Sequence, residues 1–320
     1  MATAEQIKAL IRSHLDEDDD RFHTLALQVA AHEARKGNSS LAQDIKGLVQ
    51  RAKDRVSPQI VAFPDELNGL MVSEKTNERI AQLVVPSDRK ERVERIAHEY
   101  RQRGTLQSHG MSHRRKILLS GPPGTGKTLT ARALAGELGL PLRTIQMDRL
   151  TMKFMGETAA KLRQIFEIIA DSDGVFLFDE FDAIGGDRGR DNDVGEMRRV
   201  LNSFLQFIEA DRSDNLLVAA TNNIQLLDRA LFRRFDDVLH YSLPKEDERE
   251  RLIKNVLGTF AGPKFPFPKA AASADQLSHA EIDQACRDAI KAAILGGKKS
   301  ISGESLIKFI KERRASLPTD

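Results

Sequence analysis

The sequence contains few of the residues that mark several common protein classes. It has one cysteine, Cys286, no tryptophan and two tyrosines among its 320 residues. A single cysteine cannot form an internal disulfide, so we expect a reducing, cytoplasmic location. The shortage of tryptophan and tyrosine disfavours a broad platform on which nucleic-acid bases could stack.

The sequence also lacks a large charge excess and a long apolar run. Its 49 Lys and Arg nearly balance its 47 Asp and Glu, which gives a formal net charge of +2. Non-specific coating of nucleic acid needs a basic surface, so this balance argues against nucleic acid as a partner. No apolar stretch approaches the roughly 18 residues that span a bilayer. The charged N-terminal segment lacks the apolar core of a signal peptide, so membrane insertion is not expected.

Changes in composition divide the chain into four segments. Helical periodicity in residues 1–56 predicts a small helical module, and the proline-bounded stretch 57–64 predicts a linker. Residues 65–244 are expected to form an α/β core, whose first part, 65–113, should be mostly helical. Strand patterns stop after this core, so residues 245–320 are expected to form a helical subdomain.

Short apolar runs alternate with helical patterns through most of the core. This alternation predicts an α/β fold with a mainly parallel sheet and helices on both faces. The predicted strands are Lys116–Ser120, Leu142–Gln146, Val175–Phe178, Leu216–Ala220 and Val238–Ser242. The predicted C-terminal helices are Glu246–Leu257, Ala280–Leu295 and Ser302–Arg314, with a loop at Gly258–Lys269.

A glycine-rich segment follows the first predicted strand and precedes a helical pattern. It fits the phosphate-loop motif G-x-x-x-x-G-K-[ST] in the strand–loop–helix context that the motif requires. Glycines let backbone N–H groups wrap a phosphate, and the helix directs its positive end at the same anion. Lys127 would reach the β- and γ-phosphates, and the Thr128 hydroxyl would bind Mg²⁺. The residues predicted to bind ATP here are Gly121, Pro122, Pro123, Gly124, Thr125, Gly126, Lys127, Thr128 and Leu129.

Two adjacent acids end the apolar run Val175–Phe178. Burying carboxylates at the end of such a strand is costly unless a cation lies beside them. Asp179 is predicted to orient Mg²⁺ and to complete the ATP site, and Glu180 to activate the attacking water as a general base. Because Glu180 is present, the sequence predicts ATP hydrolysis rather than ATP binding alone.

These motifs, in this order and spacing, resemble the AAA family of ATPases within the wider AAA+ class. The resemblance covers residues 116–244 and rests on the segments GPPGTGKT, FLFDEFDAI and LLVAATNNIQLLDRALFRRFDDVLHYSLP. The last segment is similar to the second region of homology, which is more specific than the phosphate loop. The resemblance implies a P-loop sheet with a C-terminal helical lid, ATP and Mg²⁺ as ligands, and a single homo-oligomeric ring, a hexamer.

The resemblance also implies further catalytic residues. Asn222 matches the sensor asparagine at a strand end, which holds the attacking water. Arg233 and Arg234 match the arginine-finger segment, in which an arginine reaches the γ-phosphate of the neighbouring subunit. They are contiguous here, as in the branch that contains the microtubule-severing and ESCRT-disassembling ATPases. Which of the two contacts the neighbour's phosphate is left open by the sequence.

Two other segments match family positions. Lys153, Phe154 and Met155 are similar to the first pore loop, in which an aromatic side chain grips an extended polypeptide. By composition alone Phe154 would more often be a core residue, and the match to the family position favours the pore. Ser278–Ile282 is similar to the segment near the adenine, where the family usually has Gly at the position of His279. We interpret His279 as a helix-start residue.

The layout of the whole chain resembles a group of bacterial single-ring AAA ATPases. Some of these are paired with a subtilisin-like serine protease in plasmid incompatibility or phage defence. The severing and ESCRT-type ATPases likewise carry a small N-terminal helical domain, which binds substrate. No catalytic triad or zinc motif such as HEXXH is present, so any proteolysis would come from a partner protease.

The sequence therefore predicts an ATP-driven protein unfoldase or remodeller that threads polypeptide through a ring. The N-terminal module would bind substrate or an adaptor. Two alternatives remain open. One is a nucleic-acid-dependent ATPase such as a loader or helicase, and the other is a nucleotide-switched scaffold.

Overall fold

The structure is a computed structural model of the chain. The residues it describes are 26–27, 29–31, 33–34, 38–54, 69–153, 157–184, 191–224 and 229–316. The chain divides into two compact units, Met1–Ile60 and Val61–Asp320. Most of the predicted N-terminal module and all of the predicted linker lie outside the described residues.

The second unit is built on one mostly parallel sheet. Its six strands are β1 (Met71–Glu74), β2 (Lys116–Ser120), β3 (Leu142–Gln146), β4 (Val175–Asp179), β5 (Leu216–Thr221) and β6 (Asp237–His240). Their order across the sheet is β1-β3-β4-β5-β2-β6, and every neighbouring pair from β3 to β6 is parallel. The α/β fold class and the five predicted strands are confirmed, with ends shifted by at most two residues.

The described helices lie in the first unit, between the strands of the second unit, and in the C-terminal region of the second unit. They are α1 (Ser39–Asp54), α2 (Ser87–Arg101), α3 (Arg103–Ser108), α4 (Lys127–Leu138), α5 (Met147–Lys153), α6 (Thr158–Asp171), α7 (Asp191–Ala210), α8 (Arg229–Phe232), α9 (Glu246–Leu257), α10 (Phe267–Ser273), α11 (His279–Leu295) and α12 (Gly303–Ala315). Short 3₁₀ turns occur at Ile80–Gln82, Phe181–Ile184 and Gly258–Phe260. Among the described residues, no helix combines the length and the apolar character that a membrane span needs.

The sheet is buried on both faces, as its continuous apolar strands require. Alternate residues of β4 show this. Phe176 and Phe178 belong to one apolar cluster, and Val175 and Leu177 belong to the cluster on the opposite face. The C-terminal helices α9 to α12 enclose a third apolar cluster of their own. The pairing of these parallel strands places the loops that follow β2, β4 and β5 at one edge of the sheet.

Two elements differ from the sequence predictions. Strand β1 lies inside the stretch expected to be mostly helical, where it pairs antiparallel with β3 at the edge of the sheet. Only its first residue, Met71, is buried, so its sequence carries little apolar alternation. Helix α10 begins inside the stretch predicted to be a loop, and Pro268 is tolerated there because it lies in the first helical turn.

Candidate nucleotide site

The loop between β2 and α4 depends on glycine backbone conformations. Gly121, Gly124 and Gly126 have φ angles of 147°, 72° and 99°, which side-chain-bearing residues rarely adopt. A Cβ on Gly121 would lie 2.2 Å from the Tyr241 carbonyl oxygen. The Tyr241 backbone cannot withdraw, because its N–H donates to the Ser120 carbonyl at 2.6 Å. The loop is therefore packed against the residue after β6.

Gly121→Ala is expected to destabilise the fold by about 2–4 kcal/mol, because it adds backbone strain and a clash with a fixed carbonyl. The measurement is the unfolding free energy in urea, together with the affinity for ADP. Gly104→Ala is the matched control, since Gly104 lies in α3 and a Cβ there meets nothing within 4 Å. Equal stability of the two variants would contradict the packing described here.

Lys127 begins α4 and extends back into the loop. Its side chain is buried, and its Nζ donates to the Gly121 carbonyl at 2.7 Å and to the Pro122 carbonyl at 2.9 Å. It also donates to Asn222 Oδ1 at 2.8 Å. Burial lowers the pKa of Lys127, while Asp179 and Asp182 act in the opposite direction. The ammonium group is thus held at the loop by three acceptors.

Two oxygen ligands meet beside this lysine. Thr128 Oγ1 lies 3.4 Å from Asp179 Oδ2, although their elements are 51 residues apart in sequence. Mg²⁺ is commonly bound by one or two protein oxygens together with substrate phosphates and water. Among the described residues, no group of three His, Cys, Asp or Glu side chains is placed to hold a metal ion. The pair therefore fits Mg²⁺ that is shared with a nucleotide.

Glu180 follows Asp179 at the end of β4 in a strained conformation. Its φ is 54°, in the left-handed region, and its N–H donates to Asp179 Oδ1 at 3.0 Å. Partial burial raises the pKa of the Glu180 carboxyl above its usual range, and three acids raise it further, in the order Asp148, Asp179 and Asp182. A carboxylate with a raised pKa is a stronger base than a free one, which suits proton transfer.

Asp148→Asn is expected to move the acidic limb of the ATPase pH profile to lower pH. A general base must be deprotonated to act, and removing the Asp148 charge lets Glu180 lose its proton at lower pH. The measurement is kcat/KM for ATP across the acidic range, with Asp247→Asn as an exposed control on α9. An unchanged limb would show that Glu180 does not set it.

Asn222 lies one residue beyond β5, beside the loop. Its side chain accepts the Lys127 hydrogen bond, and its backbone N–H donates to Asp182 Oδ1 at 3.0 Å. Asp182 therefore links the turn after β4 to the end of β5. Neither Asp182 nor Asp148 was predicted from the sequence to belong to the site. Asp182 was visible as the third acid of FLFDEFDAI. Asp148 gave no local signal, because only the β3–β4 pairing brings it near Glu180.

Arg233 and Arg234 lie in the turn between α8 and β6. Arg233 is exposed, whereas Arg234 is half-buried and its Nε lies 2.7 Å from Glu209 Oε1. The Asp236 N–H donates to the Lys116 carbonyl at 2.8 Å, which places the turn beside the beginning of β2. The phosphate loop follows the other end of β2. The structure thus brings Lys127, Asp179, Glu180 and Asn222 together and keeps both arginines away from them.

The predicted pore segment is described only in part. Lys153 is the last residue of α5, and its side chain, together with Phe154 and Met155, lies outside the described part of the chain. Leu129, the residue after the loop motif, lies in the first turn of α4 and is 41% exposed.

This sheet, loop and carboxylate arrangement defines a P-loop nucleotide hydrolase. Residues 117–243 match the family described as ATPase family associated with various cellular activities (AAA). A Sinorhizobium fredii (strain NBRC 101917 / NGR234) protein named uncharacterized AAA family ATPase y4kL is 34% identical over 309 residues. That match covers 94% of this chain and 92% of the other protein. The chain therefore belongs to the AAA family of ATPases, and it hydrolyses ATP.

Other relatives are longer than this chain. The proteasome-activating nucleotidase of Methanoregula boonei is 32% identical over 222 residues, which cover 66% of this chain and 51% of that protein. The ATP-dependent zinc metalloprotease FtsH of Mycoplasmopsis synoviae is 34% identical over 212 residues, which cover 64% of this chain and 31% of that protein. The chain thus matches about half of the first of these proteins and about a third of the second.

Proposed function

We propose that this ATPase is a ring-forming remodeller, a hexamer in the cytoplasm, that uses ATP hydrolysis to thread polypeptide through a central pore. The single observation that supports ring formation is the position of the two arginines relative to the phosphate loop. The polypeptide substrate is supported by the pore-loop resemblance and by relatives whose names link an ATPase to a proteasome or to a protease.

The arginines lie too far from their own loop to contribute to it. Strand β2 is 5 residues long, which corresponds to roughly 17 Å at about 3.3 Å per residue. The turn that carries Arg233 lies beside the start of this strand, and Gly121 follows its end. An arginine side chain does not bridge that length. A finger on this turn would therefore act on a neighbouring subunit, in a head-to-tail contact that closes into a ring.

The two arginines are proposed to have different roles. Arg233 is exposed and would reach the neighbour's γ-phosphate, where a guanidinium stabilises the charge of the transition state. Arg234 is held by Glu209 on α7 and would position the turn. Of the contiguous pair, Arg233 is therefore the proposed finger.

The residues at the loop are proposed to divide the hydrolytic step as follows. Lys127 would neutralise the β- and γ-phosphates, since its charge already lies at the loop carbonyls. Thr128 and Asp179 would hold Mg²⁺, which supplies charge neutralisation when it is bound. Glu180 would take a proton from the attacking water, and Asn222 would fix that water in place.

Phe154→Ala is expected to keep most of the ATPase activity and to lose polypeptide remodelling. The Phe154 ring is proposed to grip the substrate without taking part in ATP hydrolysis. The measurement compares ATP turnover with ATP-dependent unfolding of a captured substrate, and Phe154→Tyr is the control because it keeps an aromatic ring. Normal remodelling by Phe154→Ala would refute the pore assignment.

The N-terminal unit is proposed to receive the substrate or an adaptor, and a separate protease could take up the unfolded chain. The similar protein FtsH is named an ATP-dependent zinc metalloprotease, whereas the zinc motif HEXXH is absent from this sequence. A bacterial defence system is one setting in which such a pair would operate.

A further inference from the structure

Tyr241 follows β6 and is held in place by both its backbone and its ring. Its N–H donates to the Ser120 carbonyl at 2.6 Å, and its own carbonyl packs against Gly121, the first residue of the phosphate loop. The ring is buried in the apolar cluster on one face of the sheet, and the Arg89 guanidinium lies 4.8 Å from the ring centroid. The Tyr241 hydroxyl therefore has a set position.

This hydroxyl is connected to the other end of the phosphate loop through Thr130 of α4. Tyr241 Oη lies 2.7 Å from Thr130 Oγ1. Thr130 is fully buried, and its Oγ1 donates to the Gly126 carbonyl at 3.0 Å. The same carbonyl accepts the Thr130 N–H at 2.9 Å. One buried threonine thus joins Tyr241 to the last glycine of the loop.

The two hydroxyl groups can be satisfied in only one direction. A carbonyl oxygen only accepts, so the single hydroxyl proton of Thr130 is directed at Gly126. Tyr241 must then donate to Thr130 Oγ1, and Thr130 is the one hydrogen-bond partner of this hydroxyl within the described ranges. Burial raises the pKa of Tyr241 to about 12, so the hydroxyl keeps the proton that it donates. The chain of hydrogen bonds runs from Tyr241 through Thr130 to Gly126.

The end of this chain fixes the direction of a backbone donor. The Gly126 carbonyl and the Lys127 N–H belong to one planar trans peptide unit, so they point in opposite directions. Holding the carbonyl toward Thr130 directs the Lys127 N–H out of the first turn of α4. The free N–H groups of a helix N-terminus bind phosphate on that side.

We propose that Thr130 and Tyr241 are positioning residues for phosphate binding, although both lie outside the motif G-x-x-x-x-G-K-[ST]. Tyr241 keeps the Thr130 hydroxyl directed at Gly126, and Thr130 keeps the Lys127 N–H aimed at the β-phosphate. Neither side chain touches the nucleotide. The inference rests on the proposed role of the loop in binding phosphate.

The test compares the binding of ADP and AMP, because AMP lacks the β-phosphate. Thr130→Val keeps the shape of the side chain and removes its hydroxyl. It is expected to weaken ADP binding about tenfold and to change AMP binding less than about twofold, as the loss of one hydrogen bond at the loop allows. Isothermal titration calorimetry measures ADP, and displacement of ADP measures AMP. Thr130→Ser should keep the wild-type ratio, as should the control Thr105→Val at an exposed site on α3.

A double variant separates positioning from a purely structural role. Thr130→Val leaves the Tyr241 hydroxyl buried without its acceptor, so unfolding in urea should occur at a lower concentration. Adding Tyr241→Phe makes both side chains apolar, which removes that unsatisfied group and should recover the lost stability. The preference for ADP over AMP should stay low, because Gly126 still lacks its hydroxyl donor. The double variant also supplies the comparison should Thr130→Val fail to fold.

A wild-type ratio of ADP to AMP affinity in folded Thr130→Val or in the double variant would overturn the proposal. The hydrogen bonds would then stabilise the fold without aiming the loop. Equal binding of ADP and AMP by the wild-type protein would overturn both this inference and the proposed role of the loop. A ratio that is high in the wild-type protein and in Thr130→Ser, and low in both valine variants, is the expected result.

Discussion

Arg233→Ala is expected to lower the ATP hydrolysis rate about 10³–10⁵-fold, the range over which a guanidinium finger accelerates phosphoryl transfer. The expected loss is large because no other cation is proposed to reach the γ-phosphate from the neighbouring subunit. The measurement is steady-state phosphate release at saturating ATP, with nucleotide affinity measured in parallel. Arg251→Ala, an exposed pair partner of Asp247 on α9, is the control.

Mixing experiments separate a finger that acts across subunits from one that acts within a subunit. Arg233→Ala and Lys127→Ala subunits are each expected to be inactive alone. Together they should recover part of the activity, because an interface that joins an intact loop to an intact Arg233 is rebuilt. Absence of recovery in mixtures that still assemble would contradict action in trans. Arg234→Ala and Glu209→Gln are expected to cost less than Arg233→Ala, since both act through the placement of the turn.

Glu180→Gln is expected to reduce kcat about 10²–10⁴-fold, as the loss of a general base does. The amide keeps the size of the side chain and removes its basicity, so ATP binding should be retained. Single-turnover hydrolysis measures the effect, and ATP affinity is measured on the same preparation. Glu312→Gln on α12 is the matched control at an exposed site.

A hydrolysis rate near that of the wild type for Glu180→Gln would show that Glu180 is not the general base. The strained backbone at Glu180 would then need another explanation, and Asp182 would be the next acid to examine. A variant that loses ATP binding as well would indicate that Glu180 supports the shape of the loop.

The sequence predicted the central strands well because they are buried on both faces. Short uninterrupted apolar runs that alternate with helical segments, such as Val175–Phe178 and Leu216–Ala220, are typical of buried parallel strands. Strand β1 gave no such signal, since it lies at the sheet edge with one buried residue out of four. Its strand structure comes from pairing with β3, a contact between segments far apart in the chain.

The residues of the candidate site likewise fall into those that local sequence motifs predict and those that only the fold brings together. Lys127, Thr128, Asp179 and Glu180 belong to short local motifs, so their types and spacing were enough to find them. Asp148 and Asp182 act through neighbours that only the folded sheet provides. The exposed Arg233 and the Glu209-bound Arg234 are adjacent in sequence, and only the packing of α7 against the turn distinguishes them.

We propose that ATP turnover acts on polypeptide, and one capture experiment tests this most directly. Glu180→Gln, tagged and expressed in its native cell, is purified in ATP and the retained molecules are identified. We expect a polypeptide that stays bound with ATP, leaves with ADP, and is not retained when Phe154→Ala is added to the same chain. Retention of nucleic acid instead of polypeptide, or capture that ignores both the nucleotide and Phe154, would contradict it.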